Sequence, residues 1–272
     1  MKTTQKYKLM IDSDPFSDGD DLFAIGYAAR HPDINLKSLT TVHGKAKARA
    51  QMLEYIRRQI PLNGTKIAAG YSKLYQNTQG KIYWNGWEGR ELIKKSQNKK
   101  VNTDAVKLLD QFSQDAILAA IAPLTNIAYA VNKYQIQNKV ESLYIMGDSY
   151  ESHNLKVDKA ATDVVLGADW KNVTLIPTKL SKQVKIFGLH LQDLAKIDKF
   201  GETCYLQSRN WLNNMSFNYQ YLYDPVTIVA ITNPELFEFK NFSTNTRVVT
   251  NLDIEKVKQT ILQTIWGDKN GQ

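Results

Sequence analysis

The chain has 272 residues, 43% of them hydrophobic and 23% charged, with 14 Gly and 7 Pro, which places it among ordinary globular proteins and excludes disordered, collagen-like and low-complexity chains. Lys+Arg outnumber Asp+Glu 35 to 27, for a formal net charge of +8. The lysines are scattered in pairs such as Lys94-Lys95 and Lys99-Lys100, with no finger, aromatic ribonucleoprotein signature or basic helix around them, so a solvated basic surface and no nucleic-acid partner are expected.

The single cysteine, Cys204, has no partner within the chain and reads as a small buried hydrophobe in a reducing compartment. The amino-terminal stretch lacks the apolar core and cleavage site of a leader, and the longest apolar run, 116–124, is far too short to cross a bilayer. A cytoplasmic protein without membrane contact is expected.

No repeat, linker or compositional break divides the sequence, and one domain over 1–272 is the economical reading. Residues 7–11 form an apolar run of strand length, followed by helical periodicity over 21–30. Residues 36–42 and 46–60 repeat the pair, and 66–69 adds a third strand. Farther on, 116–121 is strand-like and leads into a helix over 126–132, 143–146 into a helix over 159–166, and 173–177 into a long, mostly helical stretch. Such alternation predicts an α/β fold with a mostly parallel central sheet flanked by helices. Ligands of such sheets collect beyond the carboxyl ends of the strands, so the turns there matter most.

The turn after the first strand places five carboxylates, Asp12, Asp14, Asp18, Asp20 and Asp21, within ten residues. Like charges at that density repel, and a cation relieves them; all-oxygen ligands favour Ca2+ or Mg2+ over zinc. A solvated, helix-capping turn is the alternative. An EF-hand fails on spacing, because loop positions five, six and twelve counted from Asp12 are Phe16, Ser17 and Phe23. Asp12-Ser13-Asp14 also fits, locally, a metal-dependent phosphatase-like enzyme with an aspartyl nucleophile.

Ile11-Asp12-Ser13-Asp14 followed by Asp18-Gly19-Asp20-Asp21 resembles the amino-terminal signature of the inosine-uridine-preferring nucleoside hydrolase family, in a longer form with two extra residues in the turn. Leu39-Thr40-Thr41-Val42-His43-Gly44 is similar to that family's second strand, Lys66-Ile67-Ala68-Ala69-Gly70 to its third, and Ala122-Pro123-Leu124-Thr125-Asn126-Ile127-Ala128 to its Gly-Pro-Leu-Thr-Asn-Ile-Ala motif. Leu143-Tyr144-Ile145-Met146-Gly147, Asn154 with Asp158 and Ala160-Ala161, and Tyr223-Asp224-Pro225 follow in the family's order, so the similarity covers most of 7–232.

The resemblance implies one Ca2+ at the bottom of a pocket, held by Asp12, Asp21, the carbonyl of Ile121 and Asp224, with the ribose 2′- and 3′-hydroxyls and a water completing its shell. The implied reaction is hydrolysis of the N-glycosidic bond of a ribonucleoside to free base and ribose. The ion would lower the pKa of the attacking water and Asp12 would take its proton. Asp20 and Asn154 match ribose-binding positions. Trp84 and Trp87 lie where the family has a mobile pocket loop and are candidates for stacking on the base, with core packing or a subunit contact as the alternative. A small nucleoside is the implied partner, and a homo-oligomer is expected because family members are commonly dimers or tetramers.

Several positions depart from the pattern. The glycine after the first-turn proline is Phe16, which would add bulk beside the carboxylates. The asparagine after the second-strand glycine is Lys45, placed to meet sugar or base, to pair with Asp14 or Asp20, to recruit an anion such as a 5′-phosphate, or to point to solvent. The loop from Gly147 to Asn154 is short, leaving a further ribose-binding asparagine without a counterpart, and the histidine that protonates the leaving base in many members is Tyr223, whose phenol still donates a hydrogen bond. Lys45 and the short loop keep open a second reading, a non-catalytic nucleoside- or ribose-binding relic.

Overall fold

The computed structural model describes residues 7–267; the ends of the 1–272 unit, including residues 1–6 of the stretch read for a leader, lie outside the described residues.

The chain opens with β1 (Tyr7–Ser13), α1 (Asp20–Arg30), β2 (Ile34–Thr41), α2 (Ala46–Ile56) and β3 (Lys66–Ala69). Asp20 and Asp21 occupy the first turn of α1, where the helix dipole favours negative charge. A long connection carrying α3 (Ile93–Ser96) leads to α4 (Ala105–Phe112), capped by the Asp104 carboxylate. Then come β4 (Ile117–Ala120), α5 (Thr125–Tyr134), β5 (Ser142–Met146), α6 (His153–Val157), α7 (Lys159–Leu166) and β6 (Val173–Ile176). The last third holds α8 (Thr178–Ser181), β7 (Lys185–Phe187), α9 (Leu191–Leu194), α10 (Lys199–Met215), β8 (Tyr219–Tyr221), α11 (Tyr223–Thr232), β9 (Phe237–Asn241), β10 (Thr246–Leu252) and α12 (Ile254–Trp266).

Eight strands form one sheet in the order β3-β2-β1-β4-β5-β6-β10-β9, every pairing parallel except β10 with β9. Alternate residues of the central strands face opposite helical layers. Leu9, Ile11, Ala119, Tyr144 and Met146 join one core, while Met10, Leu118, Ala120, Leu143 and Ile145 join the other. From β1 the chain proceeds to β2 and β3 on one side and later to β4, β5 and β6 on the other. The strand order therefore reverses between β1 and β4, opening a crevice beyond their carboxyl ends.

The stretch after 177, expected to be mostly helical, also carries strands. β7 and β8 pair as a separate two-stranded ribbon, and the β9–β10 hairpin extends the main sheet through parallel pairing of β10 with β6. β9 at the sheet's edge and β10 beside it are each only partly buried, so they lack the continuous apolar run that marks a central strand. Among the described residues no helix is long and apolar enough to cross a membrane.

Candidate active site

The crevice holds a cavity of about 690 Å3. Its floor is built from chain-distant pieces. β1 ends in Asp12 and Ser13, and the Ile121 N–H donates to the Asp12 carbonyl at 3.0 Å, carrying the β1–β4 ladder to the cavity, which Ile121 lines. Asp20 and Asp21 enter from α1 and Asp224 from the first turn of α11. The backbone N–H of Asp224 donates to Asp20 Oδ2 at 3.2 Å across 204 residues of sequence, so the Asp20 carboxylate caps α11 and ties the late aspartate to the first turn.

Asp12 is 1% exposed and lies beneath the floor. Its Oδ1 accepts from Thr40 Oγ1 at 2.5 Å and Asn126 Nδ2 at 2.8 Å, whereas its Oδ2 has no hydrogen-bond partner. Asn126 is itself held, its Oδ1 accepting the Tyr71 N–H at 2.9 Å. Ser13 Oγ donates to Asp21 Oδ1 at 2.5 Å. Burial pushes the Asp12 carboxyl up to about 7, against the pull of the Thr40 and Asn126 hydrogen bonds. Asp20, Asp21 and Asp224 are raised well above the usual carboxylate range, by burial first and then by the charges of their aspartate neighbours. One carboxylate oxygen each of Asp18, Asp20 and Asp21 lie within 4.8 Å of one another. An orphaned buried carboxylate oxygen, crowded like charges and an all-oxygen donor set fit a hard divalent cation. Of these three the resemblance assigned only Asp21 to the ion, with Asp20 given to the ribose and Asp18 counted only as part of the crowded turn.

One buried cation lies beside the acidic turn, and it is not Lys45. The Arg49 side chain, wholly buried, donates to the carbonyls of Asp14, Pro15 (2.5 Å) and His43 (3.1 Å) and to Ser17 Oγ (2.8 Å), with Asp14 Oδ2 at 3.8 Å. Arg49 shares the buried face of α2 with Ala46, Ala50 and Leu53, a placement that helical spacing from Ala46 made readable. Lys45 is exposed, its Nζ 5.2 Å from the centroid of the Trp84 ring, which Arg49 approaches at the same distance. Neither Lys45 nor Trp84, both expected to meet sugar or base, is among the residues lining the cavity. Phe16 is absent from the wall as well. Its backbone takes the left-handed region at φ 78°, where glycine is preferred, and its ring is buried in the core rather than beside the carboxylates.

The remaining candidates converge. Asn154 on α6, Trp87 on the long connection and Tyr223 at the start of α11 line the cavity with Asp20, Asp21, Ile121 and Asp224. Burial and nearby aspartates push the Tyr223 phenol above its ordinary range, so it stays protonated. Two ring clusters flank the floor. Tyr83 lies between His43 and His153, with centroids at 5.9 and 5.2 Å, while Trp211 packs on Phe217 and Tyr221, and Tyr221 on Tyr223. Trp211, on α10, also lines the cavity but stands outside every motif and so escaped sequence reasoning. Thr40 and Asn126 lay within quoted motifs, but their contacts with Asp12 need the β1–β2 register, which pairs Asp12 with Thr40, and the β1–β4 register, which pairs Asp12 with Ala120 just before α5.

A family model described as inosine-uridine preferring nucleoside hydrolase matches residues 9–269. Uridine nucleosidase 1 of Arabidopsis thaliana is 28% identical over 264 residues, covering 86% of this chain and 76% of that protein. The inosine-uridine preferring nucleoside hydrolase of Crithidia fasciculata is 25% identical over 257 residues, 84% of this chain and 80% of that protein. Among solved structures, a purine-preferring ribonucleoside hydrolase from Gardnerella vaginalis matches with a TM-score of 0.81 at 16% identity, covering 97% of this chain and 99% of that one.

Proposed function

The chain belongs to the inosine-uridine preferring nucleoside hydrolase family and is a ribonucleoside N-ribosyl hydrolase, and from that premise we propose a Ca2+-dependent site built on Asp12, Asp21, Asp224 and the carbonyl of Ile121. The observation that carries this reading is the convergence of Asp21 and Asp224 on one cavity floor above an Asp12 whose Oδ2 has no partner. When bound, the ion supplies charge that offsets the carboxylates, orients the ribose diol and lowers the pKa of a water.

The chain's own groups do the rest. Thr40 and Asn126 occupy Asp12 Oδ1, which leaves Oδ2 as the oxygen that accepts a proton from the attacking water. The Asp20 carboxylate and the Asn154 amide, both on the cavity wall, hold the ribose hydroxyls. As the bond from C1′ to the base nitrogen breaks, positive charge grows on the sugar, and the packed carboxylates stabilise it. The Tyr223 O–H, on the wall beside Asp224, donates to the departing base, and Trp87 and Trp211 offer faces for it to stack on.

Release of base from uridine and inosine, with chelator, with Ca2+ and with Mg2+, tests the reading. Turnover that requires a divalent ion and disappears in Asp224→Ala is expected. Chelator-insensitive turnover, or none from any ribonucleoside, overturns it.

A further inference from the structure

A second cavity, of about 450 Å3, adjoins the first, and the two share Lys81, Tyr83 and His153 as common lining residues. The charge reverses across this partition. Asp14, Asp18, Asp20, Asp21, Glu88 and Asp224 line the inner cavity against the shared Lys81 alone, whereas Lys156 and Lys159 join Lys81 on the outer one against a single carboxylate, Asp163. Asp163 is already occupied, by Lys159 Nζ at 3.0 Å and the Tyr150 hydroxyl at 2.6 Å. Lys156 meets Glu151 at 3.1 Å, with side chains 66% and 85% exposed, a pairing weak enough for a bound dianion to displace. Lys81 follows a glycine packed closely against Leu74. A Cβ on Gly80 would stand 2.3 Å from Leu74 Cδ1, and the Lys81 ammonium sits 4.8 Å over the Tyr83 ring.

Sugar chemistry connects the two chambers. With the vicinal diol on the carboxylate floor and the base on C1′, the 5′ carbon is the remaining point on the ribose from which a substituent can leave the inner cavity. We propose that the outer chamber receives a phosphate on that carbon, so that the favoured substrate is a ribonucleoside 5′-monophosphate. Water adds to C1′, the bond from C1′ to the base nitrogen breaks with proton transfer to the base, and ribose 5-phosphate leaves with its ester intact. The role considered for Lys45 from sequence thus passes to Lys81 and Lys156. This inference rests on the hydrolase reading above.

Calorimetric titration of the Ca2+-loaded protein with ribose 5-phosphate and with ribose reads the chamber without turnover. Uridine 5′-monophosphate, uridine and orotidine, whose carboxylate sits on the base, are then compared as substrates. The phosphorylated sugar is expected to bind roughly tenfold more tightly, with most of that advantage lost in Lys156→Ala and in the Lys81→Ala/Lys156→Ala double variant. Equal binding of the two sugars, an advantage untouched by both variants, or a preference for orotidine alone overturns the inference. Base release from uridine with no phosphate advantage sinks this inference and spares the hydrolase reading; a phosphate advantage in binding with no base release from any substrate overturns both.

Discussion

The floor and the rim of the cavity are built in opposite ways. On and just beneath the floor, Asp12, Asp20 and Asp224 are each tied to a group far away in sequence, Asp12 to Thr40 and Asn126 and Asp20 to the backbone of Asp224. At the rim, Tyr83, Trp84 and Trp87 come from one connection between β3 and α4, anchored by the Tyr83 N–H on His43 Nε2 at 2.9 Å and by Gly89 N–H on Gln207 Oε1 at 3.2 Å. Strand register and helix termini specify the floor; side chains from the turn before α2 and from α10 specify the rim. Disturbing the floor should therefore abolish chemistry, whereas disturbing the rim should change stability and affinity first.

The largest effect is expected at Asp12. Asp12→Asn keeps the shape and removes the free anionic oxygen, so kcat should fall by about 10^3-fold or more with the fold retained. Circular dichroism and base release under saturating substrate check both halves, and a variant of near-normal kcat would break the comparison. Next comes Arg49, buried between floor and rim. Arg49→Met leaves the carbonyls of Asp14, Pro15 and His43 without their donor, and should cost about 3 kcal/mol in a denaturant melt.

That contrast also explains what could be read in advance. The parallel sheet, the β3 and α7 boundaries and the acidic turn follow from apolar periodicity and local motif, because central strands are buried on both faces. Arg49 was legible only as a polar residue on an apolar helix face. Trp211 was not legible, since nothing local distinguishes a tryptophan on α10 that faces a cavity from one that fills a core. For Lys45 the sequence left several partners open, because its place in the motif says nothing of which way a flexible side chain turns, and here it turns to Trp84.

His43 links the two regions and gives a pH signature. Burial first, then the charges of Arg49 and His153, lower its pKa from 6.5 to about 4. Above 6.5 the ring is neutral in both states; between 6.5 and about 4 the unfolded chain takes up a proton that the folded protein refuses. Stability contributed by His43 is therefore lost as pH falls through that window, by at most about 3 kcal/mol. His43→Asn removes this titration, so the gap between wild-type and variant unfolding free energies should shrink from pH 7.5 to pH 4.5. Comparing the two proteins at each pH cancels the opposing titration of the buried aspartates, and a constant gap would show that His43 is not refused its proton.

The smallest effect separates Trp84, a candidate from sequence, from Trp211, which sequence did not single out. Trp84 has Lys45 and Arg49 each 5.2 Å from its ring centroid and lies off the wall, whereas Trp211 lines the cavity. Trp84→Ala removes two cation–π contacts and part of the loop's anchorage, for a loss of about 1 kcal/mol in stability and a KM change within about twofold. Trp211→Ala takes away a stacking face and should raise KM about fivefold to tenfold at similar stability cost. The ratio of KM change to stability change is then the discriminating number. A high ratio at Trp84 would mean that the rim closes over substrate through Trp84, and that the division between a chemical floor and a mechanical rim is drawn in the wrong place.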